Sequence, residues 1–235
     1  MESTGAIDYY VERVVSDRHE WRYIGPTHEY ICSETGKTRE KLSGVTVTHH
    51  SDGGARSDKY KRDIELLKRG LEKDPDNARY VFYLAQSYRD IGNLPQAIEW
   101  YEKRAPMGGW DEEVWYSLYQ VARLQHRLGL AWALVLDAYL RAYSFRPTRL
   151  EPLYHVARFY RENEQFHLGH LFSRAVIDTP YPEDLLFIEK SIYLHDLPQE
   201  YALCCQQLGK RIEAVQARVG EVACPDAPDS AVSMQ

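Results

Sequence analysis

Residues 79–101 read RYVFYLAQSYRDIGNLPQAIEWY, and this stretch decides the fold. Ala85 and Ala97 are small enough for two antiparallel helices to touch, and Gly92 with Asn93 breaks the chain between them. Tyr88 and Tyr101 are large enough to fill the space on either side. The stretch therefore predicts a helix–turn–helix unit folded about Gly92.

The register continues on both sides. Upstream, Pro75 of EKDPDN stands where a helix-ending proline belongs, with Gly70 and Leu71 before it. Downstream, Gly129 follows the helix DEEVWYSLYQVARLQHRL, Pro147 ends DAYLRAYSFRP, and Ala157 and Tyr160 repeat the Ala85 and Tyr88 pair. Ala202, Gly209 and Ala214 recur near the C-terminus. Three positions depart from the pattern: Arg104 sits where a small residue is wanted, Glu164 replaces the turn glycine, and Gly169 replaces the second alanine of its pair. On these residues the chain resembles a tetratricopeptide repeat array, whose pattern has a small residue at its eighth position, Gly at its fifteenth and Ala at its twentieth. The resemblance implies a mainly α, right-handed helical solenoid over about residues 57–220, with helix pairs centred near Gly92, Gly129, Glu164 and Gly209. Residues 221–235, VACPDAPDSAVSMQ with the residue before it, lack periodicity and are expected to form a disordered tail.

Composition agrees with a folded chain. Of 235 residues, 44% are hydrophobic and 12% aromatic, too many for a disordered polymer. A net charge of −6 argues against a nucleic-acid partner, whose surface calls for a basic excess. No apolar run approaches the length of a membrane span and no charged-then-apolar leader is present, so neither membrane nor secretion is expected. The four cysteines are Cys32, the adjacent Cys204 and Cys205, and Cys224, without a CxxC pair. Reduced thiols and a cytoplasmic location fit that usage.

Residues 1–56 read differently. The stretch around Val11–Val15 is a weak strand candidate, WRYIG (residues 21–25) precedes the turn former Pro26, and GVTVTHH (residues 44–50) is β-branched and alternating. The polar SETGKTREKLS between them carries Gly36, a turn residue. Ser57 is a suitable N-cap for a helix whose stripe is Ile64, Leu67 and Leu71. Asp111 is the expected cap of the next long helix, with Trp110 and Trp115 at staple spacing, and Thr148 with Glu151 has the spacing of a capping box.

WRYIGPTHEY (residues 21–30), VTHHSDGGARSDKYKRDIELL (residues 47–67) and MGGWDEEVWYS (residues 107–117), together with the repeats, resemble family 2 glycosyltransferases bearing a C-terminal tetratricopeptide array. The resemblance covers roughly residues 8–215. It implies that residues 1–56 are the C-terminal remnant of a GT-A domain, a Rossmann-like sheet that binds a nucleotide sugar and a divalent Mn²⁺ or Mg²⁺. It also implies that His28 stands where such enzymes place a late metal-binding histidine. The nucleotide contacts, the Asp-x-Asp motif and the catalytic acid of that domain are not found in this sequence. No residue is therefore assigned as catalytic, no cofactor is expected on this chain alone, and the metal is implied only for a complete enzyme. One imidazole does not make an oxygen-rich site, and a hydrogen-bonded histidine at a strand end is the other reading of His28.

Other clusters are weaker. His49 and His50 point to opposite faces of a strand, and Asp52 with Gly53 and Gly54 reads as a strand exit. His167 and His170 share a helix face but lack a convincing third ligand, and Cys204 and Cys205 read as packing residues. The resemblance also assigns the concave face to fixed positions on the first helix of each pair. Those positions are Arg79, Phe82, Gln86, Arg89 and Asp90, then Tyr116, Tyr119, Arg123, His126 and Arg127, then Glu151, Tyr154, Arg158, Arg161 and Glu162. Six of the fifteen are arginine, a local positive excess on an acidic protein. Arg89, Tyr116, Tyr119, Arg123, Arg127, Tyr154, Arg158 and Arg161 are accordingly the expected partner-binding residues, for an acidic peptide or protein segment. The competing reading pairs these arginines with neighbouring glutamates on a solvated face.

Two functions follow. The resemblance implies that the chain is the C-terminal part of a nucleotide-sugar-dependent glycosyltransferase, not catalytically competent alone, whose repeats bind acceptor or partner protein. The alternative is a free-standing tetratricopeptide scaffold.

Overall fold

Helices form where the alanine and glycine spacing puts them. The computed structural model describes residues 2–3, 8–9, 14–38, 40, 44, 47–48 and 57–214. His49 to Gly54, Cys224 and the expected tail lie outside them. The chain divides into two units, residues 1–128 and 129–235.

The first unit holds α1 (Ser57–Lys73), α2 (Ala78–Asp90), α3 (Leu94–Arg104), a 3-10 turn (Ala105–Met107) and α4 (Asp111–Arg127). Successive helices pack as neighbours, and Ala85 and Ala97 are both fully buried where α2 packs on α3. Arg104 takes its small-residue position by burying completely: it donates to the Gly108 carbonyl at 2.8 Å and pairs with the Glu113 carboxylate at 3.2 Å. Short strands precede the helices: β1 (Glu2–Ser3), β2 (Asp8–Tyr9), β3 (Arg22–Ile24), β4 (Tyr30–Cys32) and β5 (Val47–Thr48). β1 lies between β2, antiparallel to it, and β5, parallel to it, while β3 and β4 form an antiparallel hairpin. Val14 and Val15 are exposed and outside any strand, so no apolar face organises that end of the weak candidate.

The second unit holds α5 (Trp132–Phe145), α6 (Glu151–Glu162), α7 (Phe166–Val176), a π-helical turn (Ile192–Asp196) and α8 (Leu197–Gln207), with a last turn of helix at residues 211–214. Its core gathers Leu150, Leu153, Tyr154, Val176, Ile192 and Leu197.

Three turns are built alike. Asn93 N–H donates to the Tyr88 carbonyl, Gln165 to Tyr160 and Lys210 to Cys205, each across the C-terminus of a helix. This closure demands a left-handed residue just past the helix. Gly92 and Gly209 supply it at φ of 80° and 73°, and Glu164 adopts φ of 58° despite its side chain. Three expected caps differ from the structure, beginning with Ser57, which is already the first residue of α1. Trp110, not Asp111, precedes the first residue of α4, and it makes no side-chain cap. The Thr148–Glu151 capping box does not form: α6 starts after Leu150, and Glu151 is taken by the guanidinium of Arg149 at 2.6 Å. A charged fork outcompetes a neutral cap.

Candidate functional site

The strongest candidate is the face of the first helix in each pair, described unit by unit. On α2, Arg89 is the centre. Its NH1 donates to the Tyr116 hydroxyl of α4 at 2.9 Å and to the Tyr101 hydroxyl of α3 at 3.4 Å, and its Nε donates to Asp90 at 2.9 Å. Burial opposes the charge, yet the two phenols and Asp90 hold this guanidinium above its ordinary value. Tyr116 is nearly buried and Tyr119 fully so. Arg123 lies with its guanidinium 5.5 Å over the Tyr119 ring, and Arg127 is exposed at the end of α4. Gln86, between Arg79 and Arg89, keeps a buried amide nitrogen that finds no hydrogen-bond partner among the described residues.

The upstream end of the same α2 face is covered by the turn between β3 and β4. Arg79 donates to the His28 carbonyl at 3.0 Å and its guanidinium lies 4.8 Å from the ring centres of both Tyr30 and Tyr83. The His28 imidazole stacks on Tyr83, centroids 4.0 Å apart and nearly parallel. His28 has a left-handed φ of 50°, which turns its ring onto α2, and burial of that ring lowers its pKa. Thr27 anchors the turn to α1 through Asp63 at 2.9 Å, and Pro26 sits against Gly70. Among the described residues, Pro26–Tyr30, the turn after WRYIG, thus contacts both α1 and α2.

In the second unit the equivalent helix is α6. Arg158 donates to Glu162 at 2.8 Å and to the buried Tyr154 hydroxyl at 3.5 Å, while staying half exposed. Arg161 forks across to Glu200 of α8, at 2.5 and 3.0 Å. Glu151, an expected face position, is fully buried. The face positions thus sort by depth, with tyrosines beneath and arginines above them.

A second cluster was not legible as such in the sequence. His170 of α7 meets Glu213 at 3.3 Å and Lys210 at 3.0 Å, Tyr201 of α8 donates to Glu213 at 2.6 Å, and the Cys205 thiol stands 3.9 Å from the same carboxylate oxygen. The Tyr201 and His170 hydrogen bonds hold the Glu213 carboxyl down to about 2. His167 does not join this group, which corrects its pairing with His170: the partners of His170 come from α8 and the turn of helix after Gly209. Glu213 lies one turn past Gly209, and its link to His170 is legible only once the helical turn after α8 is placed on α7. Among the described residues no other group of His, Cys, Asp and Glu gathers three donors, and His28 stands outside this one.

No protein-family model matches the chain, and no curated protein matches it. Solved structures do. A crystal structure of MamA protein aligns with 70% of this chain and 82% of its own at 20% identity and a TM-score of 0.51. A second crystal structure of MamA covers 70% of this chain and 88% of its own at 19% identity and a TM-score of 0.52. YrrB, a TPR protein with an unusual peptide-binding site, covers 70% and 77% at 13% identity and a TM-score of 0.48. At 19–20% identity the MamA likeness is one of fold, and it accords with the packed helical pairs described above. Among the described residues no helix is long and apolar enough to cross a membrane.

Proposed function

We propose that the chain is a protein-binding scaffold of tetratricopeptide type, which holds acidic segments of a partner on the first-helix faces within each of its units. The observation that carries this reading is the recurrence of an arginine seated on a buried tyrosine: Arg89 on Tyr116, Arg123 by Tyr119, and Arg158 on Tyr154. A guanidinium held from beneath loses less freedom when it takes up a carboxylate, and it offers that carboxylate two parallel N–H groups. The pairs that Arg89 and Arg158 make with Asp90 and Glu162 on their own helices do not oppose this. Partly exposed pairs of this kind are worth about 0–1 kcal/mol, so an incoming carboxylate exchanges with them at little cost. The glycosyltransferase origin implied by the sequence finds no support in the comparisons, and no specific observation favours it as a second reading.

The test is fluorescence anisotropy with labelled acidic, neutral and basic peptide panels. The acidic panel binds, and binding weakens with salt as the screening length falls to about 8 Å at physiological ionic strength. Replacing Arg123 and Arg158 together by Ala removes one charge-assisted bond of about 1.5–3 kcal/mol from the face of each unit and lowers affinity at each roughly tenfold or more. Equal binding by the double variant, or preference for the basic panel, refutes the reading.

A further inference from the structure

We propose that His170, Cys205 and Glu213 form a zinc-binding site within the second unit. The three donors come from three separate helical elements, so the fold and not local sequence brings them together. The His170 Nε2 and Glu213 Oε2 atoms are 3.3 Å apart, Cys205 Sγ and the same oxygen 3.9 Å, and all three donor atoms lie within 4.8 Å of one another. Zinc bonds of about 2.0–2.3 Å in tetrahedral geometry place neighbouring donors about 3.3–3.6 Å apart. The triangle therefore closes on a metal with side-chain shifts of about 1 Å.

The chemistry of the set selects the metal. One imidazole, one thiolate and one carboxylate suit borderline-soft Zn²⁺ and not Mg²⁺ or Ca²⁺, which require oxygen shells. Depth grades from the buried Cys205 through His170 to the part-exposed Glu213, which leaves the fourth position facing solvent for a water. Tyr201 braces the site twice: its hydroxyl fixes Glu213 at 2.6 Å, and its ring packs against the His170 imidazole at 5.3 Å. Such outer contacts orient ligands and raise metal affinity. Cys204 is excluded by position, because its sulfur lies against Gly169 in the α6–α7 contact.

Lys210 gives an independent sign that this spot accepts positive charge. Its ammonium stands 3.0 Å from His170 Nε2 and 3.5 Å from Glu213 Oε1, so a cation is already seated between two of the ligands. Its side chain is 40% exposed and swings to solvent when a divalent ion enters. Lys210 is thus a competitor of the metal and not a ligand.

The experiment is a titration of the full chain with Co²⁺ followed by displacement with Zn²⁺. One equivalent of Co²⁺ produces a thiolate-to-cobalt charge-transfer band, which Zn²⁺ removes. Cys205→Ser abolishes the band, whereas a Cys32→Ser, Cys204→Ser, Cys224→Ser triple variant retains it. Glu213→Gln, on a part-exposed turn, keeps the circular dichroism spectrum of the parent and weakens Co²⁺ binding tenfold or more. Lys210→Ala tightens it severalfold. Absence of a thiolate band in the parent, its survival in Cys205→Ser, or weaker binding in Lys210→Ala overturns the assignment.

Discussion

Glu164 and Gly169 lie five residues apart and break the repeat pattern for opposite reasons. Glu164 occupies a left-handed position, φ 58°, which Gly92 and Gly209 fill without penalty at the equivalent turns. A side chain there costs on the order of 1–2 kcal/mol. Gly169, in contrast, is a point of close helix approach: a Cβ on it meets the Cys204 sulfur at 2.8 Å and the Ala157 carbonyl at 3.2 Å. Glu164→Gly is therefore expected to stabilise the chain, by roughly 1 kcal/mol after the added entropy of the unfolded glycine is discounted. Gly169→Ala is expected to destabilise it by about 1–3 kcal/mol through overpacking. Urea melts of both variants check the pair, and the opposite order of midpoints contradicts it. Both departures were visible in the sequence, but not their signs. A missing glycine shows that strain is tolerated, whereas an extra one shows close approach only when its neighbour, Cys204, is known.

The element least like a repeat is the irregular stretch between α7 and the π-helical turn. It is tied down from the α5–α6 connection. Arg149, fully buried, forks onto Glu151, reaches Asp184 at 3.0 Å, and donates to the Leu186 and Phe187 carbonyls. Arg146 adds a second fork to Asp184. Tyr193 closes the network by donating to Glu151 at 2.7 Å. A buried ion pair is weak evidence of net stabilisation, but breaking one side strands the other charge. Glu151→Gln keeps size but turns one accepting oxygen into an NH2 donor and leaves Arg149 with less than its compensating charge. It is expected to cost about 3–5 kcal/mol by thermal or urea unfolding, and a cost below about 1 kcal/mol shows that Arg149 finds enough charge in Asp184 alone. In the sequence Glu151 reads as the end of a capping box with Thr148. Spacing is local information, and it did not show that Arg149, two residues away, enters the core and claims the carboxylate first.

For the whole molecule, the register carried the helical class of residues 57–214 and the packing of α2 on α3 and of α6 on α7. Ala85, Ala97, Ala157 and Ala202 are all fully buried, and the arginine positions drawn from the repeat fall on tyrosine supports within each unit. What the register did not carry is depth. Tyr119 and Glu151 occupy face positions but are buried, because aromatic bulk and ion pairing decide which of five positions turns inward. It also gave no sign that His28 stacks on Tyr83, a contact between residues far apart in sequence. Helical repeats make contacts with neighbours, so their stability is close to a sum of local terms. This chain resolves into two units, the first ending at Leu128. A lesion should therefore be felt mainly where it is made. Ala85→Trp forces an indole into the α2–α3 contact, where both alanines are fully buried, at a cost of about 1–3 kcal/mol or more. Hydrogen exchange then accelerates in amides of α1 to α4, while α6 and α7 keep their protection, since local opening samples cooperative segments and not the whole chain. Equal loss of protection in α2 and α7 contradicts this, and means that the two units unfold as one.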